Sequence, residues 1–600
     1  MMERTKRADI PVKETWDLSD LFETEVTFEG ELNSLEDDVQ TVLDYKSKLG
    51  NDADTLLGAI KTMEAFMQRI IKVGSYAMLK ISADGSDSAN QSLYAKTMTT
   101  LTNVETKLAF FDPELLAIPE DTLKKFIDEL PGLQIYKKML YDILDKRAFT
   151  FTAEIEEILG ALGEVHGAPQ MIYERSKSAD FDFASVEDNE GNTLPMSESL
   201  YEDKYEMSAN TTIRRKTYES FIQTLSRYKN TFAATYQTEV TKQITMAKLR
   251  GYSSVTDMLL QDQHVTKEMY ENQLNIIQEE LAPHMRKYAN LLKADYGLET
   301  LHFSDLKAPL DPDYNPEITF EEAKKMIQDA LSIMGDEYKE IITKGLNERW
   351  VDYADNIGKQ SGAFCASPYG SHPYILMTWT NQMRGAFTLA HELGHAGHFY
   401  LANHYQKLMN TDVSTYFVEA PSTLNELLLA EHLLQNTTDK RKKRWIISEL
   451  LGTYYHNFIT HLLEAEFQHR IYQLAENGVP LTADVLCEQK TEAIANFWGD
   501  TVKLDEGTGL TWMRQQHYYM GLYPYTYSAG LTVSTAVLQR IKSDPDVAIS
   551  DWLDVLKAGG SLTPLELTKK AGVDMLDPET IKSAVSYVGD LIDQLEESYQ

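Results

Sequence analysis

Apolar residues recur at helical spacing from early in the chain, where Leu32, Leu35, Val39, Val42, Leu43 and Leu49 form one face before Gly50-Asn51 closes the run. The same three-and-four spacing predicts helices around 53–82, 89–111, 120–146 and 153–165, and further helices from about 200 to 295. Two places break the helical period. Phe181-Asp182-Phe183-Ala184-Ser185-Val186 and Thr193-Leu194-Pro195-Met196 flank Asn189-Glu190-Gly191-Asn192, which predicts a small hairpin. Gly362-Ala363-Phe364-Cys365-Ala366 and Tyr374-Ile375-Leu376-Met377-Thr378-Trp379 flank a Pro- and Gly-containing turn, which predicts a second hairpin. Between them a loop with Pro309, Pro312 and Pro316 leads into Thr319-Phe320-Glu321-Glu322, a capping box at a helix start. Beyond the second hairpin the pattern stays helical, and Asp577-Pro578-Glu579 opens the last helix. The expected fold class is mainly α.

Six hundred residues, 43% of them apolar, exceed what one core usually supports, so two lobes are expected, with a soft boundary at the first hairpin. This divides the chain into an N-terminal helical lobe, 1–200, and a second domain, 201–600. Lys plus Arg (57) against Asp plus Glu (92) leaves 57 − 92 = −35, which repels nucleic-acid phosphates and an anionic membrane face and keeps a surface well solvated. The N-terminus is polar, and no run of about 18 apolar residues follows, so neither a leader nor a membrane span is expected. Cys365 and Cys487 stand far apart without metal or redox spacing, as suits free thiols in a reducing cytoplasm.

The chemistry is concentrated at His391-Glu392-Leu393-Gly394-His395. Residues 384–400 contain no proline and predict one helix, on which positions four apart lie about 5–6 Å apart between Cβ atoms, close enough for two imidazoles to share a tetrahedral zinc ion. Glu392, beside the first histidine, can take a proton from a water whose pKa such an ion lowers to about 7. Gly394 and Gly397 each cost about 1 kcal/mol in a helix interior, which points to something approaching this helix closely. A third protein ligand is needed. His398 lies seven residues from His391, about 10 Å along the axis, too far for the same ion, and is expected around the site or facing substrate. Glu419, in Phe417-Val418-Glu419-Ala420-Pro421-Ser422 at another helix start, completes a His2Glu set with one position left for water, the layout of a catalytic zinc site. Glu426, seven residues on, either orients a ligand histidine or is a solvated helix-face glutamate. His372, His404, His456, His461 and His469 form no ligand spacing and are expected to be ordinary surface or core histidines.

His391-Glu392-Leu393-Gly394-His395-Ala396-Gly397-His398, followed by Phe417-Val418-Glu419-Ala420-Pro421-Ser422, resembles the catalytic signature of the thimet oligopeptidase family of zinc peptidases, and within it the bacterial oligoendopeptidase F branch. The resemblance implies a multi-helical bivalved ellipsoid with a small β-hairpin or sheet beside the active site, and a deep internal channel that admits short unstructured peptides. It implies one zinc ion per chain on His391, His395 and Glu419, with Glu392 as general base. It also implies that His517 and the tyrosines of the following segment, Tyr523 and Tyr527, serve the oxyanion of a zinc endopeptidase, without deciding which tyrosine carries it. The 362–366 strand offers an edge to which a peptide backbone can add. A zinc carboxypeptidase of related helical fold, which would need a cationic pocket for the substrate C-terminus, is the principal alternative; a non-catalytic peptide-binding protein is the second.

Overall fold

The computed structural model describes residues 5–599. The first core is built by α1 (Glu25–Asp38), α2 (Ala53–Ala83) and α3 (Ser88–Leu108) with the shorter helices that follow. Thr24 and Asp52 start α1 and α2 by accepting the backbone N–H of Thr27 and Thr55, satisfying donors that a helix start leaves free. Along α2 the buried positions Leu56, Ile60, Met63, Ile70, Val73 and Ala77 keep the apolar stripe expected from spacing. The helix expected over 120–146 is divided into Glu120–Glu129, Pro131–Gln134 and Lys137–Lys146. Pro131 is the cause: it has no N–H to donate and its ring crowds the preceding turn.

A second and larger core runs from Tyr173 to Leu595. Its outer hairpin is β1 (Val186–Glu187) against β2 (Thr193–Leu194), antiparallel, with Gly191 at φ +83° in the turn, a conformation that costs an L side chain but not glycine. The long α4 (Thr211–Arg250) ends where Gly251 takes φ +87°. Then come α5 (Lys267–Asp295), α6 (Phe320–Leu331) and α7 (Asp336–Asn347). At α6 the Thr319 hydroxyl accepts the Glu322 N–H at 3.3 Å and the Glu322 carboxylate accepts the Thr319 N–H at 2.9 Å, the reciprocal cap expected there.

The two cores meet at a sheet of three short strands, β3 (Val351–Asp352), β4 (Phe364–Ala366) and β5 (Tyr374–Leu376), in the order β3-β5-β4. The hairpin β4–β5 is antiparallel with Cys365 opposite Ile375, whereas β3 adds parallel to β5. Alternation lets β5 serve both cores: Tyr374 and Leu376 belong to the first and Ile375 to the second. On β3 the buried Asp352 receives Arg7 and, at 2.7 Å, Lys359, so the beginning of the described chain is fastened to this sheet. Beyond it lie α8 (Met383–Tyr405), α9 (Glu419–Gln435), α10 (Lys440–Tyr455), α11 (His461–Glu476), α12 (Ala483–Trp498), α13 (Pro524–Ser543) and the closing α14 (Pro578–Tyr599). Among the described residues no helix is long and apolar enough to cross a membrane.

Candidate metal centre and active site

The two glycines of α8 are explained by what crosses it. A Cβ on Gly394 would lie 2.5 Å from the Pro421 carbonyl oxygen and 2.5 Å from the Ser422 Cα, so the first turn of α9 rests directly on the α8 backbone. A Cβ on Gly397 would lie 2.5 Å from the ring of Tyr338, on α7. Asn425 locks the crossing. It donates to the Ala390 carbonyl at 3.1 Å and accepts from the Tyr338 hydroxyl at 3.1 Å. Glycine on α8 thus lets the helix carrying Glu419 approach the helix carrying both histidines.

The result is a convergence of three donors. His391 Nε2 and His395 Nε2 each stand 3.4 Å from Glu419 Oε2, and one atom from each residue lies within 4.8 Å of the others, as one tetrahedral ion requires. The Ser422 hydroxyl donates to the same carboxylate oxygen at 3.0 Å, holding its rotamer. Glu426 is not on a solvated face: its Oε1 is 2.6 Å from His391 Nδ1, and its Oε2 accepts from the Thr453 hydroxyl of α10 at 3.1 Å. With Nδ1–H committed to a carboxylate, the lone pair of His391 sits on Nε2 and faces the centre. Burial opposes a charge on His391, but the hydrogen bonds it gives to Glu419 and Glu426 raise its pKa well above the usual value; burial likewise opposes charge on Glu419, yet His395 and His391 hold it well below the carboxylate range. Two carboxylates, Glu419 and Glu426, converging on the paired imidazoles make the site electrostatically suited to a cation. Replacing Glu426 by Gln is expected to weaken metal affinity about 10–100-fold, read by competition with a chromophoric chelator.

Glu392 is buried, its Oε2 has no hydrogen-bond partner among the described residues, and burial raises its pKa. The strand β4 packs against α8, the helix that carries Glu392. His398 does not join the donors. Fully buried, with its pKa pushed down to about 3 by burial, it packs against Phe399 and Phe417.

Aromatic groups gather where the chain enters α13, the helix that packs against Glu419. Gly530 allows this: a Cβ there would sit 3.0 Å from Glu419 Cβ. Half-buried Tyr523 and Tyr527 lie 5.5 Å apart between ring centroids, and His517 is 5.0 Å from Tyr523 and 5.6 Å from Tyr527. Burial, with Glu419 among the neighbouring charges, raises the pKa of both phenols, so each keeps its proton to donate. Burial lowers that of His517 to about 4, leaving a neutral imidazole. The three residues named from resemblance are therefore together. Behind them stand two histidines taken from sequence as ordinary, His456 and His461, with Glu464 and Gln515. No spacing announced them, because a π-helical segment, His456–Thr460, shifts the helical phase between the two histidines. His372, by contrast, stacks on Trp350 at the sheet, and His469 bonds Gln473.

Two histidines one turn apart, a carboxylate from a crossing helix and a second carboxylate with an uncommitted oxygen define a metal-dependent peptidase in a mainly helical fold. Comparison with known proteins agrees. The model of "Peptidase family M3" matches residues 205–587 and that of "Oligopeptidase F" matches 114–183, so this chain belongs to peptidase family M3 and is a metallo-oligopeptidase. It is 32% identical to Oligopeptidase PepF of Bacillus subtilis over 591 residues, 98% of this chain and 88% of that one. It is 27% identical to the Oligoendopeptidase F homolog of Lactococcus lactis, over 98% of both chains. Among solved structures, oligoendopeptidase-F from Enterococcus faecium superposes with a TM-score of 0.75 at 26% identity, covering 96% of this chain and 99% of that one.

Proposed function

We propose that this chain is a zinc endopeptidase that cuts internal bonds of short, unstructured peptides in a bacterial cytoplasm. The observation that carries it is the convergence of His391 Nε2, His395 Nε2 and Glu419 Oε2 next to the uncommitted carboxylate of Glu392. Two imidazole nitrogens and one carboxylate oxygen suit zinc, and Glu426 holds the His391 ring by its Nδ1 so that Nε2 faces the centre. When bound, the metal supplies Lewis acidity to the substrate carbonyl and acidity to the attacking water.

The chain's own groups do the rest. Glu392, made more basic by burial, takes a proton from the attacking water as its oxygen adds to the carbonyl carbon. Tyr523 or Tyr527, and His517, donate hydrogen bonds to the oxyanion that forms. Glu392 returns the proton to the leaving nitrogen, the C–N bond breaks, and a carboxylic acid and an amine result. Support for an extended substrate comes from β4, which packs against α8 and pairs only with β5 among the described residues, leaving its other edge without a strand partner. Main-chain bonds of that kind make no demand on side chains, in keeping with broad specificity. The names of the relatives, oligopeptidase and oligoendopeptidase, support short peptides and internal bonds. Two unpaired cysteines support a cytoplasmic setting.

The deciding substrate is a quenched fluorogenic peptide, acetylated at one end and amidated at the other. Cleavage is expected, with loss of activity on chelation and recovery with one equivalent of zinc per chain. A carboxypeptidase would leave the blocked peptide whole, and a binding protein would bind it without cutting, so either result would overturn the proposal.

A further inference from the structure

The proposed oxyanion groups do not stand alone. His461 is buried directly behind Tyr527, ring on ring at 4.1 Å between centroids and 11° between planes. Its Nδ1 lies 2.9 Å from Glu464 Oε2 on the same helix, and its Nε2 lies 3.1 Å from His456 Nε2. Glu464, also buried, receives a second hydrogen bond from the side-chain amide of Gln515. The other end of that amide is engaged too: Gln515 Oε1 accepts the backbone N–H of His517 at 3.4 Å, capping the short helix Gln516–Tyr519 that carries His517. One carboxylate therefore reaches two of the three members of the aromatic cluster, Tyr527 through the His461 ring and His517 through Gln515.

A buried carboxylate is costly unless its charge is used and its lone pairs are filled. Here His461, Lys490 of α12 and Gln515 offset burial and hold the Glu464 pKa at about 2, so it remains an anion with directed bonds. A π-helical turn, His456–Thr460, precedes His461, a distortion that recurs at functional sites more than in scaffolding. None of these groups shares a hydrogen bond, ion pair or ring contact with His391, His395 or Glu419 among the described residues.

We infer that Glu464 is a positioning residue of the active site, which through His461 and Gln515 sets the placement of Tyr527 and His517 against the oxyanion. The inference rests on the proposed role of those two residues in catalysis. A group that acts in this way lowers turnover when removed and does so only while the groups it positions are present.

The test is a mutant cycle read by steady-state kinetics on the blocked peptide, with metal content and thermal melting measured on each protein. Glu464→Gln, and separately His461→Phe, which keeps a ring against Tyr527, are expected to lower kcat about 10–100-fold with KM within about twofold and one metal ion per chain retained. In a background carrying both Tyr527→Phe and His517→Ala, either change is expected to cost less than about twofold more. If the full loss recurs in that background, the effect does not pass through those residues and the inference is wrong. Unchanged kcat in both folded single variants overturns it as well, and so does failure of both to fold, which would make the network a core support only. Should the Tyr527→Phe, His517→Ala protein itself retain full turnover, the oxyanion assignment fails first and the positioning role falls with it.

Discussion

Replacing Glu392 by Gln is expected to lower kcat about 10²- to 10⁴-fold while the protein keeps its metal and its melting temperature. Gln keeps the size and hydrogen-bonding reach of the side chain but cannot accept a proton. His391, His395 and Glu419 make no hydrogen bond to Glu392 among the described residues, and its Oε2 has no partner to lose, so the fold has little reason to respond. Burial has another consequence. Glu392 is desolvated as a charge, and removing that charge relieves the cost, which favours an unchanged or slightly higher melting temperature. Stopped turnover with retained metal, measured by single-turnover kinetics and metal analysis on the same sample, is the expected pair of results. Near-normal turnover in a metal-loaded Glu392→Gln protein would remove this residue from the mechanism.

Gly394→Ala is expected to cost about 100-fold in kcat/KM although it adds a single methyl group. The new carbon would meet backbone atoms of Pro421 and Ser422 at 2.5 Å, where ordinary contact begins at 3.4 Å, so the start of α9 must recede by about 1 Å. Glu419 is the first residue of α9 and moves with it, away from the Nε2 atoms it must meet. Global stability should change less than activity. Alanine gains about 1 kcal/mol over glycine in a helix interior, which offsets part of an overpacking cost of about 1–3 kcal/mol. A weakened affinity for zinc at nearly constant melting temperature is therefore the signature. Wild-type affinity in this variant would show that the helix crossing tolerates a side chain.

The metal motif was legible because its chemistry is local. His391 and His395 are four apart on a helix that forms on its own spacing, and no tertiary contact is needed to place them on one face. The penalty of Gly394 and Gly397 was legible too, although only the fold says that the approaching groups are α9 and the ring of Tyr338. Glu426 illustrates the limit. Its spacing from Glu419 allowed either a solvated face or a bond to a ligand, and the choice was made by the angle at which α9 crosses α8. The strand β3 left no trace in the periodicity, since two residues cannot display an alternation and its partner β5 lies more than twenty residues away.

What the chain by itself determined, then, is whatever rests on neighbours within a turn or two: the helical periods, the caps at Thr319 and Asp577, the turn at Gly191 and the paired histidines with their glutamate. The packing of distant segments decided the rest: that Tyr374 and Leu376 face one core while Ile375 faces the other, that α13 lies against Glu419, and that His461 stands behind Tyr527. The reason is range. Backbone hydrogen bonding and side-chain period act over a few residues, whereas the crossing of two helices or the stacking of two rings depends on the shape-matching of surfaces that only the folded chain brings together.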